Sequence, residues 1–186
     1  MSRRQHLIET ALRLFYEQGI HAVGINQVLA EAGVAKQTLY NHFESKDSLL
    51  EAAIEHRDKV FFQWFEQRVI SKPLGREAAL EVFDAMDDWI NNRVPSLSHF
   101  CGCFFINACA EYSDPNHPVH QQCAKHKVKI MGLLQRIAQT LKGEKSDADK
   151  LADALYLLKE GAIVKAHVES DNRAAIKARG VAELLI

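Results

Sequence analysis

Ile25-Asn26-Gln27-Val28-Leu29-Ala30-Glu31-Ala32, then Gly33-Val34-Ala35, then Lys36-Gln37-Thr38-Leu39-Tyr40-Asn41-His42 is the stretch on which the fold turns. Ile25, Val28 and Leu29 give the first segment an apolar stripe at helical spacing, and Leu39 with Phe43, four residues on, does the same for the second. Three residues part them: a glycine that permits a sharp turn, Val34 to fill the gap between helices, and Ala35. The spacing predicts two short helices, over about 25–32 and 36–42, in a helix–turn–helix arrangement. In that motif the second helix lies in the DNA major groove with its N-terminal residues at the base edges. The polar side of the second helix carries Lys36, Gln37, Thr38, Tyr40, Asn41 and His42, all with hydrogen-bonding tips and none acidic. Such a face suits a polyanion with readable edges. The same geometry occurs in proteins that never meet DNA, so an inert helical module is the alternative.

Helical periodicity continues in both directions. Upstream, Leu7, Ile8, Ala11, Leu12 and Phe15 mark an amphipathic helix that stops at Gly19. Downstream, Ser45 reads as the N-cap of a long helix striped by Leu50, Ala53, Ile54, Phe61, Trp64, Phe65 and Val69, which ends at Ser71-Lys72-Pro73-Leu74-Gly75. Further helices follow on Ala79–Ile90, at about 102–112, on Val119–Leu141, at about 147–167 and from about 172. No alternating strand pattern intervenes, and proline and glycine fall between the periodic segments. The expected fold class is all-α, with about nine helices. On the penultimate helix Leu151, Leu155, Leu158 and Ala162 form one stripe, which Ala154, Leu157, Gly161, Ile163 and Val164 widen past a single face. A helix so broadly apolar needs cover on two sides. Either a second copy of the chain supplies it, or the helix is central in the monomer core.

The 186 residues carry 23 Lys+Arg against 24 Asp+Glu and are 47% hydrophobic, which excludes a disordered chain and one that holds polyanions by bulk charge. The first sixty residues hold seven basic and eight acidic side chains, so any grip on DNA must come from a few placed donors and must weaken with salt. A chain of this length buries roughly 70% of its unfolded surface and needs no disulfide or metal staple. Cys101, Cys103, Cys109 and Cys123 therefore read as reduced thiols. No apolar run of about 18 residues is present. The N-terminus leads directly into a charged amphipathic pattern. A cytoplasmic protein with no membrane partner is expected.

Gly19-Ile20-His21-Ala22, followed by Ile25-x-x-Val28-Leu29-Ala30-Glu31-Ala32-Gly33-Val34-Ala35-Lys36-x-Thr38-Leu39-Tyr40-Asn41-His42-Phe43-x-Ser45-Lys46-Asp47-x-Leu49, resembles the DNA-binding signature of TetR/AcrR-family transcriptional regulators. The match covers about the first quarter of the chain without a gap. The resemblance implies a three-helix DNA-binding domain at residues 1–46. It also implies an effector-binding and dimerisation domain at 47–186, with the dimer built on the last two helices. The function it implies is a non-enzymatic regulator, a repressor that binds a pseudo-palindromic double-stranded operator and is released by a small-molecule effector. Carried over by position, Ala35, Lys36, Gln37, Thr38, Tyr40, Asn41, His42 and Lys46 form the DNA-contacting set. Tyr40, His42 and Lys46 match phosphate-holding positions, Thr38 one near backbone or base edges, and Lys36, Gln37 and Asn41 would face the bases. Many members have Thr or Ser where Val23 and Gly24 stand, capping the second helix and touching phosphate; Val23 cannot do this, and Gly24 caps only through its backbone conformation.

Beyond residue 70 the signals are fewer. Gly102-Cys103-Phe104-Phe105-Ile106-Asn107-Ala108-Cys109-Ala110-Glu111 resembles a segment found in one subset of that family. On a helix, Cys103, Asn107 and Glu111 would follow one another as a polar ridge. With Trp89, Cys123 and His126 they are the expected effector-pocket residues, though such a ridge could equally lie at the surface and His126 could be a hydrogen-bonded core residue. An alternative regulator would sense electrophiles or oxidants through Cys103, near the helix start, against the plainer reading of the cysteines as small buried hydrophobes. The Cys and His spacings do not suit zinc, and no cofactor is expected. The rival reading, an enzyme using Cys or His as nucleophile or base, finds no phosphate loop, nucleophile elbow or His-Glu-x-x-His.

Overall fold

A computed structural model describes residues 2–186. Its described residues form nine helices and no strand: α1 (Arg3–Gln18), α2 (Ile25–Ala32), α3 (Lys36–Tyr40), α4 (Lys46–Ile70), α5 (Arg76–Ile90), α6 (Phe104–Glu111), α7 (Pro118–Leu141), α8 (Lys145–Val168) and α9 (Ala174–Glu183). The expected all-α class holds. By packing, the chain forms two compact units. One takes the residues up to Lys59 together with Cys103–His126; the other takes Val60–Gly102 and Lys127–Ile186. The boundary expected from sequence, at 46/47, lies between the first and second residues of α4.

In the first unit, Ser2 starts α1 by accepting a hydrogen bond from the Gln5 backbone N–H at 3.2 Å. Leu7, Phe15, Ile20, Val28 and Leu39 are buried at the centre of α1, α2 and α3. Gly33 ends α2 in the left-handed region, with φ of +63°, where a side chain would be strained. The recognition segment is two residues shorter than its polar pattern suggested. The N–H groups of His42 and Phe43 both turn to the carbonyl of Leu39, each at 2.9 Å, which tightens the chain and carries Phe43 inward. Ser45 and Ser48 then cap α4 reciprocally, each Oγ accepting from the other's backbone N–H at 3.1 Å. Helix α6 begins later than expected because Gly102 is left-handed at φ +82° and Cys103 is extended as its N-cap.

In the second unit, Ala79, Val82, Phe83 and Met86 bury the inner face of α5, and α9 packs against both α5 and α8. Leu151, Leu155, Ala162 and Ile163 are buried on α8. The opposite side of α8 is apolar yet open: Leu157 is 69% and Val164 50% exposed. That overturns the option of a helix wholly enclosed in the monomer core. Leu158 and Gly161 of α8 and Val181 and Leu185 line a groove of about 610 Å³ between α8 and the C-terminal segment.

One charged residue breaks the buried stripe of α8. Lys159 is 1% exposed, and Glu160 Oε1 accepts from its Nζ at 3.0 Å while Oε2 accepts from Lys127 at 2.6 Å. Burial alone would push the Glu160 carboxyl up, but the two ammonium groups outweigh it and hold it below the ordinary carboxylate range. A depressed folded-state value contributes stability above the unfolded value of about 4.3, lost as pH falls through the folded one. Glu160→Gln is therefore expected to lower the unfolding free energy at pH 7 by on the order of 3 kcal/mol in urea titrations and to make the acid limb shallower. Parental stability at pH 7 would contradict this.

Candidate nucleic-acid interface

Helix α3 is a single turn and a half whose inner anchor is Leu39, fully buried, with Phe43 just beyond it. The remaining side chains point away from that anchor. Lys36, Gln37, Tyr40, Asn41 and His42 are exposed, Thr38 is half-buried, and Ala35 is the exposed N-cap. The Lys36 ammonium lies 5.8 Å from the centre of the Tyr40 ring, which is 49% exposed. That contact gathers a cation and a phenol on one edge of the helix. Among these side chains none is acidic, so the outward face presents donors, amides and an imidazole to whatever docks there.

Lys46 also has a partner within the chain. Its Nζ donates to the Ile20 carbonyl at 2.5 Å and lies 5.7 Å from the Phe15 ring centre, so at least one of its three donors ties the start of α4 to the α1–α2 connection. Val23 is fully buried, and Gly24, the N-cap of α2, makes no side-chain capping bond. Arg4 was not singled out from sequence. Its guanidinium sits 5.1 Å from the ring centre of Phe43, which puts an exposed cation beside the end of the recognition segment. The Arg3-Arg4 pair in an otherwise neutral region was the available signal.

The six expected effector residues fall in both units. Trp89 belongs to the second unit, between Phe61 and Phe100 in edge-on contacts at 4.8 and 4.9 Å. The other five belong to the first unit. Cys103 is the buried N-cap of α6 rather than part of a helical ridge, and Cys123 is buried too. Asn107 is half-buried. His126 is a core residue: its Nδ1 is 2.8 Å from Asp58 Oδ1 and its ring stacks on Phe105 at 3.7 Å. Glu111 reaches back to the α1–α2 connection, where its two carboxylate oxygens accept from the backbone N–H groups of Ile20 and His21. None of the six lines the α8–α9 groove. At 5% exposure, the Cys103 thiol gives the oxidant-sensing alternative no support.

Comparison with known proteins agrees with this geometry. Residues 7–53 match the family model described as "Bacterial regulatory proteins, tetR family", and residues 80–181 match "Tetracyclin repressor-like, C-terminal domain". HTH-type transcriptional regulator YjdC of Escherichia coli (strain K12) is 26% identical over 163 residues, which is 87% of this chain and 81% of that protein. HTH-type transcriptional repressor ComR of the same strain is 26% identical over 168 residues, covering 88% and 79%. The crystal structure of SCO4454, a TetR-family transcriptional regulator from Streptomyces coelicolor, superposes with a TM-score of 0.87 at 30% identity, over 99% of this chain and 88% of that one. With its outward donor face on a buried anchor and both halves matched, the chain belongs to the TetR family of helix–turn–helix, DNA-binding transcriptional regulators.

Proposed function

We propose that the protein is a repressor that binds a pseudo-palindromic operator as a homodimer and is released when a small molecule binds its C-terminal part. The observation that carries the reading is the pairing of an exposed, carboxylate-free face on α3 with an open apolar face on α8 and α9. Lys36, Gln37 and Asn41 read base edges, Lys suiting guanine and the amides adenine. Tyr40, His42, Thr38 and the N-cap region at Ala35 hold the backbone, with Lys46 contributing a phosphate contact from the donors it does not spend on Ile20. Residues 1–46 carry the DNA contacts, while the remainder carries effector binding and dimerisation. Leu157, Val164 and the α8–α9 groove are the surface the second copy covers. The effector acts by binding better to a dimer whose recognition helices are wrongly spaced, and shifts the balance only by that difference in affinity. The place of action is the cytoplasm.

Selection of duplexes from a random DNA pool is expected to return a palindrome with half-sites ~34–36 Å apart. On that duplex Gln37→Ala should relax preference at one position per half-site, costing about 1–3 kcal/mol, whereas Tyr40→Phe should weaken all duplexes alike. Recovery of unrelated sequences, or full affinity after both substitutions, would contradict the assignment. For the dimer, Leu157→Glu combined with Val164→Glu should yield monomers in analytical ultracentrifugation and reduce operator affinity about a hundredfold or more, because two linked half-sites become two weak ones. A doubly substituted protein that sediments as the parent would place the interface elsewhere.

A further inference from the structure

Ile20 and His21 lie in the connection between α1 and α2, and one side chain from 90 or more residues downstream holds both. Glu111 Oε1 accepts from the Ile20 N–H at 2.7 Å and Oε2 from the His21 N–H at 2.6 Å. Two adjacent amides converging on one carboxylate form short, charge-assisted and directional bonds. The imidazole of His21 adds a contact, its Nδ1 3.0 Å from Oε2 and its ring stacked on Tyr112 with centres 5.0 Å apart. Lys46 fixes the Ile20 carbonyl from the other side. All of these groups lie within one compact unit. Two elements therefore close on the Ile20–His21 segment at the entry to α2: the start of α4, through Lys46, and the last residue of α6, Glu111.

That entry has no side-chain cap of its own: Val23 is buried and Gly24 offers none. Past the entry, α2 is tied to α1 by Gln27 donating to Gln18, by His6 against the Ala32 carbonyl and by the Arg13–Glu31 pair. The Ile20–His21 corner is thus where a residue outside α1 and α2 enters their arrangement. Gly19 precedes the clasp at φ +92°, and a Cβ there would stand 3.6 Å from Glu111 Oε1, in contact with the carboxylate. We propose that Glu111 is a positioning residue for DNA binding: through it α6 sets the angle at which α2 and α3 are presented. The proposal rests on the operator-binding reading above, and its test separates the two.

The test compares the full-length parent with Glu111→Gln, which keeps the shape of the side chain but offers one acceptor oxygen in place of two. The first readout is amide hydrogen exchange by NMR. Exchange at Ile20 and His21 should quicken about tenfold or more, as for groups released from a strong bond, with the α8 amides unchanged. The second uses the duplex selected by the parent and versions with the half-sites moved apart or together by one base pair. The parent should discriminate strongly among them, and E111Q should lose about tenfold of that preference. A merely stabilising contact would leave the spacing preference intact. Should E111Q fail to fold, Glu111→Asp, which keeps the charge and withdraws the oxygens, is read in the same two ways. Unchanged exchange at Ile20 and His21, or an unchanged spacing preference in a folded variant, overturns the proposal. A parent that binds no selected duplex sinks the operator reading and the proposal with it; a binding parent indistinguishable from E111Q sinks the proposal alone.

Discussion

A five-residue helix has no stability of its own, because nucleation costs more than one turn of hydrogen bonds returns. Helix α3 exists only because Leu39 is driven into the space left by α1 and α2, with Phe43 closing the far end. That single burial fixes the rotation of the turn about its axis. Once Leu39 faces in, Lys36, Gln37, Tyr40 and Asn41 face out together. The left-handed Gly33 and the double use of the Leu39 carbonyl set where the turn starts and stops. The polar tips are free to engage a ligand because none of them is needed to hold the helix.

Elsewhere the chain departs from the rule of apolar inside and polar outside, and each departure points to a purpose. On α8 the order is inverted at neighbouring positions: Lys159 is enclosed and ion-paired through Glu160, while Leu157 two residues earlier lies open. A buried ammonium is tolerated because its carboxylate partner shares the site, and an exposed leucine beside Gly161 and Val164 is the kind of surface that another protein surface covers. In the first unit the inversion is of sequence distance. The DNA-binding helices are completed by Cys103–His126, so their stability depends on residues far downstream of the signature that identifies them.

What could be read from sequence followed from local periodicity. Helix α2 occupies the expected residues because Gly33 punctuates it, and α4 starts where Ser45 caps it. The recognition face was legible because Leu39 and Phe43 share one side. Contacts that join distant segments were not. The i, i+4 series Cys103, Asn107 and Glu111 suggested a pocket ridge, but spacing cannot tell what a ridge faces, and Gly102 kept Cys103 out of the helix altogether. His126 sat on an apolar stripe, which was consistent with either a ligand-facing or a core residue; only Asp58, 68 positions away, decides for the core. Lys159 could have been noticed, since it falls four residues after Leu155 on the buried stripe of α8.

The most direct measurement is a crystal structure of the protein bound to a duplex that it selects itself. The α3 helices of the two subunits should lie in successive major grooves, with Gln37 and Asn41 within hydrogen-bonding distance of base edges and Leu39 still buried. A duplex seated on any other surface, or α3 left facing solvent in the complex, would contradict that arrangement.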